Sequence, residues 1–182
     1  VTGGAGFVGS NIVSALRSVD AHVLVLDDFF TGLRENLPPE GPGLEIVEAS
    51  VVEEEAVRAA CAGADIVIHA AARNIIVSTR NPREDYEVNI GGTLNVLLAA
   101  RETGVPRIVY TSSCSIYGNP RYLPISEDEP VNLLSPYAVS KFAGESYCHA
   151  FHESYDLPTS VVRYSNVYGP GQRPDNPYCG VV

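Results

Sequence analysis

Thr2-Gly3-Gly4-Ala5-Gly6-Phe7-Val8-Gly9 is the stretch whose reading decides the fold. Gly3, Gly6 and Gly9 lie three apart, and Ile12, Val13, Leu16 and Val19 follow at helical spacing. A strand-to-helix turn uses such glycines to bend tightly, to let the backbone approach a pyrophosphate, and to pack the helix closely on the sheet. An anion held there would rest on the helix N-terminus. A glycine triplet alone is only a turn, so its neighbours carry the weight. His22-Val23-Leu24-Val25-Leu26 reads as a strand ending at Asp27-Asp28, some ~20 residues past the glycines. A carboxylate at that place accepts hydrogen bonds from a ribose diol and repels a 2′-phosphate, which favours NAD over NADP. The plain alternative for Asp27-Asp28 is a solvated strand end.

Outward from there, strands and helices alternate. Leu44 to Val47 is a short strand, and Glu53 to Cys61 a helix whose Glu53, Glu54 and Glu55 suit its N-terminal dipole better than a metal. Ile66-Val67-Ile68-His69 is a buried strand followed by Ala70-Ala71-Ala72, small residues that would let a flat ligand lie close. Tyr86 to Thr103 reads as one long helix closed by Gly104 and Pro106. Arg107 to Thr111 is a strand running into Ser112-Ser113, residues 119 to 134 are an irregular Pro-rich loop, and Thr159 to Tyr164 is a last strand leading to Asn166. Apolar strands this continuous predict a parallel sheet covered on both faces. Ligands of such sheets sit beyond the carboxyl ends of the strands, where Gly3–Gly9, Asp27, Ala71-Ala72, Ser112-Ser113 and Asn166 all fall.

Ser135-Pro136-Tyr137-Ala138-Val139-Ser140-Lys141 starts another helix, with Ser135 as N-cap and Pro136 at the first helical position. Tyr137 and Lys141 then emerge on one face, one turn apart. A phenol of pKa near ~10 would have to fall by about three pH units, roughly 4 kcal/mol, to act as a base at neutral pH. One positive charge ~4–6 Å away at an effective dielectric of about 20 supplies roughly 3–4 kcal/mol. Lys141 is therefore expected to lower the Tyr137 pKa, with an oxidised nicotinamide adding the rest.

The 182 residues fit one domain, and the net charge of −10 argues against a nucleic-acid or anionic-membrane partner. No apolar run reaches membrane-spanning length and no signal-peptide pattern appears. Cys61, Cys114, Cys148 and Cys179 form no paired motif, so reduced thiols and a cytoplasmic setting are expected. The chain lacks Met, opens on Val1-Thr2-Gly3 and stops at Gly180-Val181-Val182, and it reads as a fragment cut at both ends. His149, His152, Glu145 and Glu153 share a helix but match no metal motif, so no metal is expected. His69 is expected to be a satisfied core histidine and Cys114 a small buried residue, while Arg73, Arg80 and Arg83 are either diphosphate contacts or solvated charges.

Taken together, Thr2–Gly9, Asp27-Asp28, His69–Ala72, Asn89, Ser112-Ser113 with Tyr117-Gly118, Tyr137-x-x-x-Lys141 and Arg163-Tyr164-Ser165-Asn166 with Tyr168-Gly169-Pro170 resemble the NAD-dependent epimerase/dehydratase family of extended short-chain dehydrogenases/reductases. The resemblance covers nearly the whole chain. It implies an α/β, Rossmann-like doubly wound parallel sheet, truncated at both ends, as a single NAD(P)-binding domain over 1–182. It makes Tyr137 the general base, Lys141 its partner and a ribose ligand, and Ser113 the hydroxyl on the substrate's reacting oxygen. NAD would lie against Gly3, Gly6, Phe7, Val8 and Gly9, the Asp27-Asp28 pair, Val51, Ala71 and Ala72. Asn89, Ser112, Tyr137, Lys141 and Tyr164 would complete its site, and Asn166 would hold a substrate diphosphate.

Family dehydratases and decarboxylases place an acidic residue two positions after the counterpart of Ser113, whereas this chain has Cys114 and Ser115 there. The resemblance therefore implies a nucleotide-sugar 4-epimerase, the tail Tyr168–Gln172, Asn176-Pro177-Tyr178 and Gly180–Val182 being similar to UDP-sugar 4-epimerases. Another enzyme of the superfamily and a non-catalytic NAD-binding domain are the rival readings; the intact Ser113, Tyr137 and Lys141 set speaks against the latter. Ser50 replaces an Asp that usually contacts adenine, and Ser165 replaces a larger residue beside the nicotinamide. The resemblance also implies a homodimer through the 86–103 and 135–155 helices.

Overall fold

The structure, a computed structural model, describes residues 1–172. The stretches Asn176–Tyr178 and Gly180–Val182 and the thiol of Cys179 lie outside the described residues. Five parallel strands form the sheet: β1 (Val23–Asp27), β2 (Leu44–Glu48), β3 (Val67–His69), β4 (Ile108–Ser113) and β5 (Thr159–Tyr164). β1 pairs with β2, and β3–β4–β5 form a second ladder. Thr2 joins the two ladders by parallel bridges to Leu26 and His69. The Thr2 N–H donates to the Ile68 carbonyl at 3.0 Å, while the Gly3 N–H donates to the Leu26 carbonyl at 2.8 Å. The sheet therefore runs β2–β1–(Thr2)–β3–β4–β5, and order reverses at the glycine turn, the place where open α/β sheets bind ligands.

Side chains alternate across β1. Val23 and Val25 pack with Val13 of α1 (Phe7–Arg17), whereas Leu26 packs with Val57 of α2 (Glu54–Cys61) and Val96 and Leu97 of a later helix. That is the two-sided burial a parallel sheet requires. The expectation of full cover fails at β5, whose Val161 and Val162 are more than a third exposed among the described residues. Among the described residues β5 is an edge strand, and the edge of an open sheet is where cover runs out.

Four helices follow β3 where the sequence predicted one. α3 (Ile75–Arg80) is capped by the Asn74 side chain, which accepts from the Ile76 and Val77 N–H groups. α4 (Pro82–Asp85) carries Pro82 at its start behind Asn81. Tyr86–Gly91 is a π-helical turn, and only Gly92–Thr103 is a regular helix, α5. Such wide turns cluster at functional sites. Gly104 closes α5 in the left-handed conformation, φ 74°, as its sequence position predicts. α6 (Pro136–Tyr155) begins as expected, with the Ser135 hydroxyl accepting the Ala138 N–H at 3.1 Å. α6 lies tight on β4 because Gly144 has no side chain; a Cβ there would stand 3.0 Å from Tyr110 Cε1 and closer still to Cζ and Oη.

Candidate active site

Gly3 holds φ 68°, a conformation that disfavours any side chain, and a Cβ on it would meet the Ala71 N at 2.6 Å. A Cβ on Gly9 would collide with the Gly3 carbonyl oxygen. These contacts bring the start of α1 against the end of β3. Gly6 caps α1 without a side-chain hydrogen bond, unlike Asn74 and Ser135 at their helices. The N-terminus of α1 is thus left to an anion.

A crevice of about 250 Å3 opens there, lined by Gly3, Gly6, Phe7, Val8, Gly9, Asp27, Asp28, Val51, Ala71, Ala72 and Arg73. Ten of the expected cofactor residues therefore share one wall. A larger cavity of about 740 Å3, beside Val1, Leu16, Cys61 and Ile66, lies at the opposite, amino ends of the strands and holds none of them.

Asp27 is buried, and its carboxylate accepts the Ala5 N–H and the Phe29 N–H, each at 2.8 Å. Burial raises its pKa and the two amides act against it. Asp27 thereby fastens the glycine turn to the end of β1. Asp28 is bonded instead by Arg73 at 2.9 Å. Arg73 also meets Glu84 at 2.7 Å and lies 3.9 Å from the Phe30 ring centroid, a bridge across the crevice mouth rather than a solvated charge. Arg80 and Arg83 are exposed. Ser50 beside Val51 spends its N–H on Glu53 at 2.7 Å.

Asn89 stands elsewhere than expected. It is 1% exposed, behind the crevice wall, where its amide accepts the Arg73 N–H at 2.7 Å and donates to the Arg73 carbonyl at 3.0 Å. It fixes the Ala71–Arg73 segment rather than presenting a group to the crevice. His69, buried, sits between Thr2 and Thr93 at 2.7 and 2.9 Å. The Thr93 hydroxyl donates to the Asn89 carbonyl, so it accepts from Nε2, and Nδ1 accepts from Thr2. Burial, then the Lys141 charge, lowers this histidine to about 3. It is the satisfied core residue its position suggested.

Ser113 and Tyr137 converge at the end of β4. The Ser113 hydroxyl accepts the Ser115 N–H at 3.2 Å and pairs with the Tyr137 phenol. Lys141, 3% exposed, is the only lysine of the 182 residues, and its Nζ lies 4.8 Å from the Tyr110 ring centroid. Burial lowers it to about 8 against the pull of Asp85, Cys148 and Glu145. The expected depression of Tyr137 by Lys141 is not what the structure shows. Burial holds the phenol above its ordinary value, Ser113 acts the other way, and Asp85 and Cys114 push it further up. The ammonium lies over the Tyr110 ring, and the phenol loses more by leaving water than it gains.

The hydroxyls of Ser112 and Ser115 are buried without a partner among the described residues, at the same strand end. Such atoms await a ligand or water. Cys114 is half-buried, not buried as expected. Tyr164 lines a separate cleft of about 350 Å3 with Phe7, Val8 and Pro170, while Ser165 and Asn166 are exposed. Residues the sequence did not single out are Asp85 and Ser140, which meet Asn89 in the core. Glu145 is buried against Arg163, which it binds at 2.8 Å. Among the described residues no group of three or more His, Cys, Asp or Glu could hold a metal. No described helix is long and apolar enough to cross a membrane.

The chain is similar to known proteins along nearly its whole length. A protein of Methanocaldococcus jannaschii named as a putative UDP-glucose 4-epimerase is 40% identical over 177 residues, 96% of this chain and 57% of that one. The Thermus thermophilus UDP-glucose 4-epimerase, solved with NAD, superposes with a TM-score of 0.90 at 40% identity, covering 98% of this chain and 58% of that one. The UDP-N-acetylglucosamine 4-epimerase of Methanobrevibacter ruminantium, solved with UDP-N-acetylmuramic acid, gives 0.93 at 34% identity, with 99% and 58% covered. The chain thus spans a little over half the length of the relatives it matches. With the glycine turn, the paired Ser113 and Tyr137 and the buried Lys141 in these places, and with the family model matching residues 1–182, the chain belongs to the NAD dependent epimerase/dehydratase family.

Proposed function

We propose that the protein is a nucleotide-sugar 4-epimerase that works with tightly held NAD. The observation that carries this is the Ser113–Tyr137 pair at the carboxyl end of β4, the same end of the sheet as the glycine turn, with Cys114 and Ser115 where a dehydratase needs a carboxylate. The crevice fits a dinucleotide: Gly3 and Gly9 let the turn close tightly between β3 and the start of α1, and α1 has no side-chain cap at its N-terminus. Gly3, Gly6, Phe7, Val8, Gly9, Asp27, Asp28, Val51, Ala71 and Ala72 would hold it, with Asn89 fixing the wall.

NAD held there would supply a reversible hydride acceptor and, when oxidised, a positive charge. With the positive charge of the oxidised cofactor offsetting the burial that raises the phenol, Tyr137 would take the proton of the 4-hydroxyl as a phenolate and later return it. Ser113 would bond the same oxygen through its one hydroxyl proton. Lys141 provides fixed positive charge within the helix turn. The sugar turns over between the two transfers, so C4 inverts while no electrons or protons are gained overall. Asn166, on the loop after β5, would hold the diphosphate.

A homodimer through the 86–103 and 135–155 helices is part of this reading, supported by Tyr86, Val139 and Tyr155, large apolar side chains exposed on them. So are a cytoplasmic location and the absence of a nucleic-acid partner, supported by the net charge of −10.

The test is to supply the protein as its gene encodes it with UDP-glucose or UDP-galactose, and with their N-acetyl forms, and to follow interconversion by proton NMR. Interconversion without net NADH is expected. Tyr137→Phe should retain NAD and lower turnover by about 10²–10⁴-fold. Net NADH formation, or near-parental turnover in Tyr137→Phe, would end the assignment.

A further inference from the structure

Arg73 lines the crevice, yet its guanidinium is engaged within the protein rather than by solvent. Its main chain follows β3 and is fixed there by Asn89, which holds both the N–H and the carbonyl. The stem of the side chain is held on the same side, Nε donating to Glu84 of α4 at 2.7 Å. The tip crosses over: Nη2 donates to Asp28 Oδ2 at 2.9 Å, 45 residues away along the chain. Asp28 follows β1, and Thr2, where the glycine turn begins, lies between β1 and β3 in the sheet. The bond from Arg73 to Asp28 therefore runs from one wall of the crevice to the other, across the glycine turn. The ring of Phe30, half exposed, covers the guanidinium at 3.9 Å.

This tie and a dinucleotide need the same passage. The crevice measures about 250 Å3, below the roughly 300–1,000 Å3 of ligand pockets, and a dinucleotide is a long ligand. Something between the walls has to give way before it can reach the glycine turn. Two of the local ties are poorly placed to yield: Asp27, buried, holds the Ala5 and Phe29 amides, and Asn89, buried, holds the Arg73 main chain. The side chains of Arg73, Asp28 and Glu84 keep 12%, 25% and 26% of their surface exposed, so water can replace their bonds as they part.

We propose that the Arg73 side chain is a strap across the NAD crevice, anchored on Glu84, which must part from Asp28 for the dinucleotide to enter or leave and so sets how slowly it exchanges. This rests on the crevice as the NAD site and not on the reaction carried out there. Protein groups alone make the strap, so its strength does not depend on the ligand. Its opening limits entry and exit equally, whereas a side chain that only holds the ligand slows exit alone.

The experiment loads the protein as its gene encodes it with NAD, adds an excess of isotopically labelled NAD, and follows the uptake of label. Equilibrium dialysis against labelled NAD supplies the dissociation constant. Arg73→Ala should exchange about tenfold faster or more, with the dissociation constant kept within about twofold. Arg73→Lys, whose single ammonium lacks the planar fork that reaches Asp28 and Glu84 together, should fall between Arg73→Ala and the parent.

Exchange at the parental rate in folded Arg73→Ala overturns the proposal. So does faster exchange with an equally weakened dissociation constant, which would make Arg73 an ordinary ligand contact. If Arg73→Ala does not fold, Arg73→Lys decides by the same two readings, faster exchange at an unchanged dissociation constant upholding the strap. A protein that takes up no NAD overturns this inference together with the proposed function. Fast exchange in Arg73→Ala of a protein that epimerises nothing overturns that function alone and leaves the strap standing.

Discussion

Gly144→Ala sets two magnitudes against each other. Alanine in place of glycine within a helix such as α6 gains up to about 1 kcal/mol from propensity alone. Against this, the new methyl would meet the ring of Tyr110, which is 1% exposed and cannot swing aside, at 3.0 Å from Cε1 and nearer to Cζ and Oη. Overpacking of that kind costs about 1–3 kcal/mol. Lifting α6 also breaks the bond from the Tyr110 hydroxyl to the Lys141 carbonyl, 3.3 Å long, and a buried bond contributes about 1 kcal/mol. The balance is a loss of about 1–3 kcal/mol, which for a chain of this size lowers Tm by roughly 2–12 °C. Turnover should fall as well, since α6 carries both Tyr137 and Lys141. Urea denaturation of the parent, Gly144→Ala, Tyr110→Phe and the double variant would measure this. Tyr110→Phe removes the nearest atom, so Gly144→Ala should cost less in that background, by about 0.5 kcal/mol or more. A Gly144→Ala protein as stable as its parent, or more so, would refute the packing argument.

Two further outcomes follow from local chemistry. Ser135→Ala removes the acceptor of the Ala138 N–H at the start of α6 and should cost about 1 kcal/mol in urea denaturation, while Ser135→Asp should keep most of it. His69 titrates near about 3 when folded against 6.5 when free, so the unfolded chain binds the extra proton. Its contribution is complete above pH 6.5 and is lost as pH falls toward 3, amounting to about 2 kcal/mol at pH 5. In His69→Gln the fall in stability between pH 7 and pH 5 should shrink by about that amount, and an unchanged fall would show that the imidazole is not kept neutral.

The parts of this protein that the sequence makes legible are those ruled by local rules. Gly3, Gly104 and the Ser135-Pro136 pair announce a turn, a helix end and a helix start, because each states a backbone conformation directly. The strand ends were equally plain, since apolar runs stop where polar residues must face a ligand. α3 and α4 escaped because helices of six and four residues show no apolar period, and only Asn74 and Asn81 mark them. Asp85 escaped for a different reason: its meaning lies in Ser78 and Ser140, which only the fold brings to it. The direction of the Tyr137 shift could not be read from a four-residue spacing, because it depends on how deeply the phenol is enclosed and on which way the ammonium points. Likewise Asn89 carries a family motif, yet its amide serves the backbone of Arg73.

The burial of Lys141 has a practical side. It is the one ε-amine in these 182 residues, and with 3% of its surface exposed it is sealed from reagents in bulk solvent. Amine-directed dyes and cross-linkers should leave the ε-amine of the native domain unmarked and capture it once the α6–β4 seam opens. Acylation of this one side chain, scored by peptide mass, would then count opening events of the active-site helix molecule by molecule.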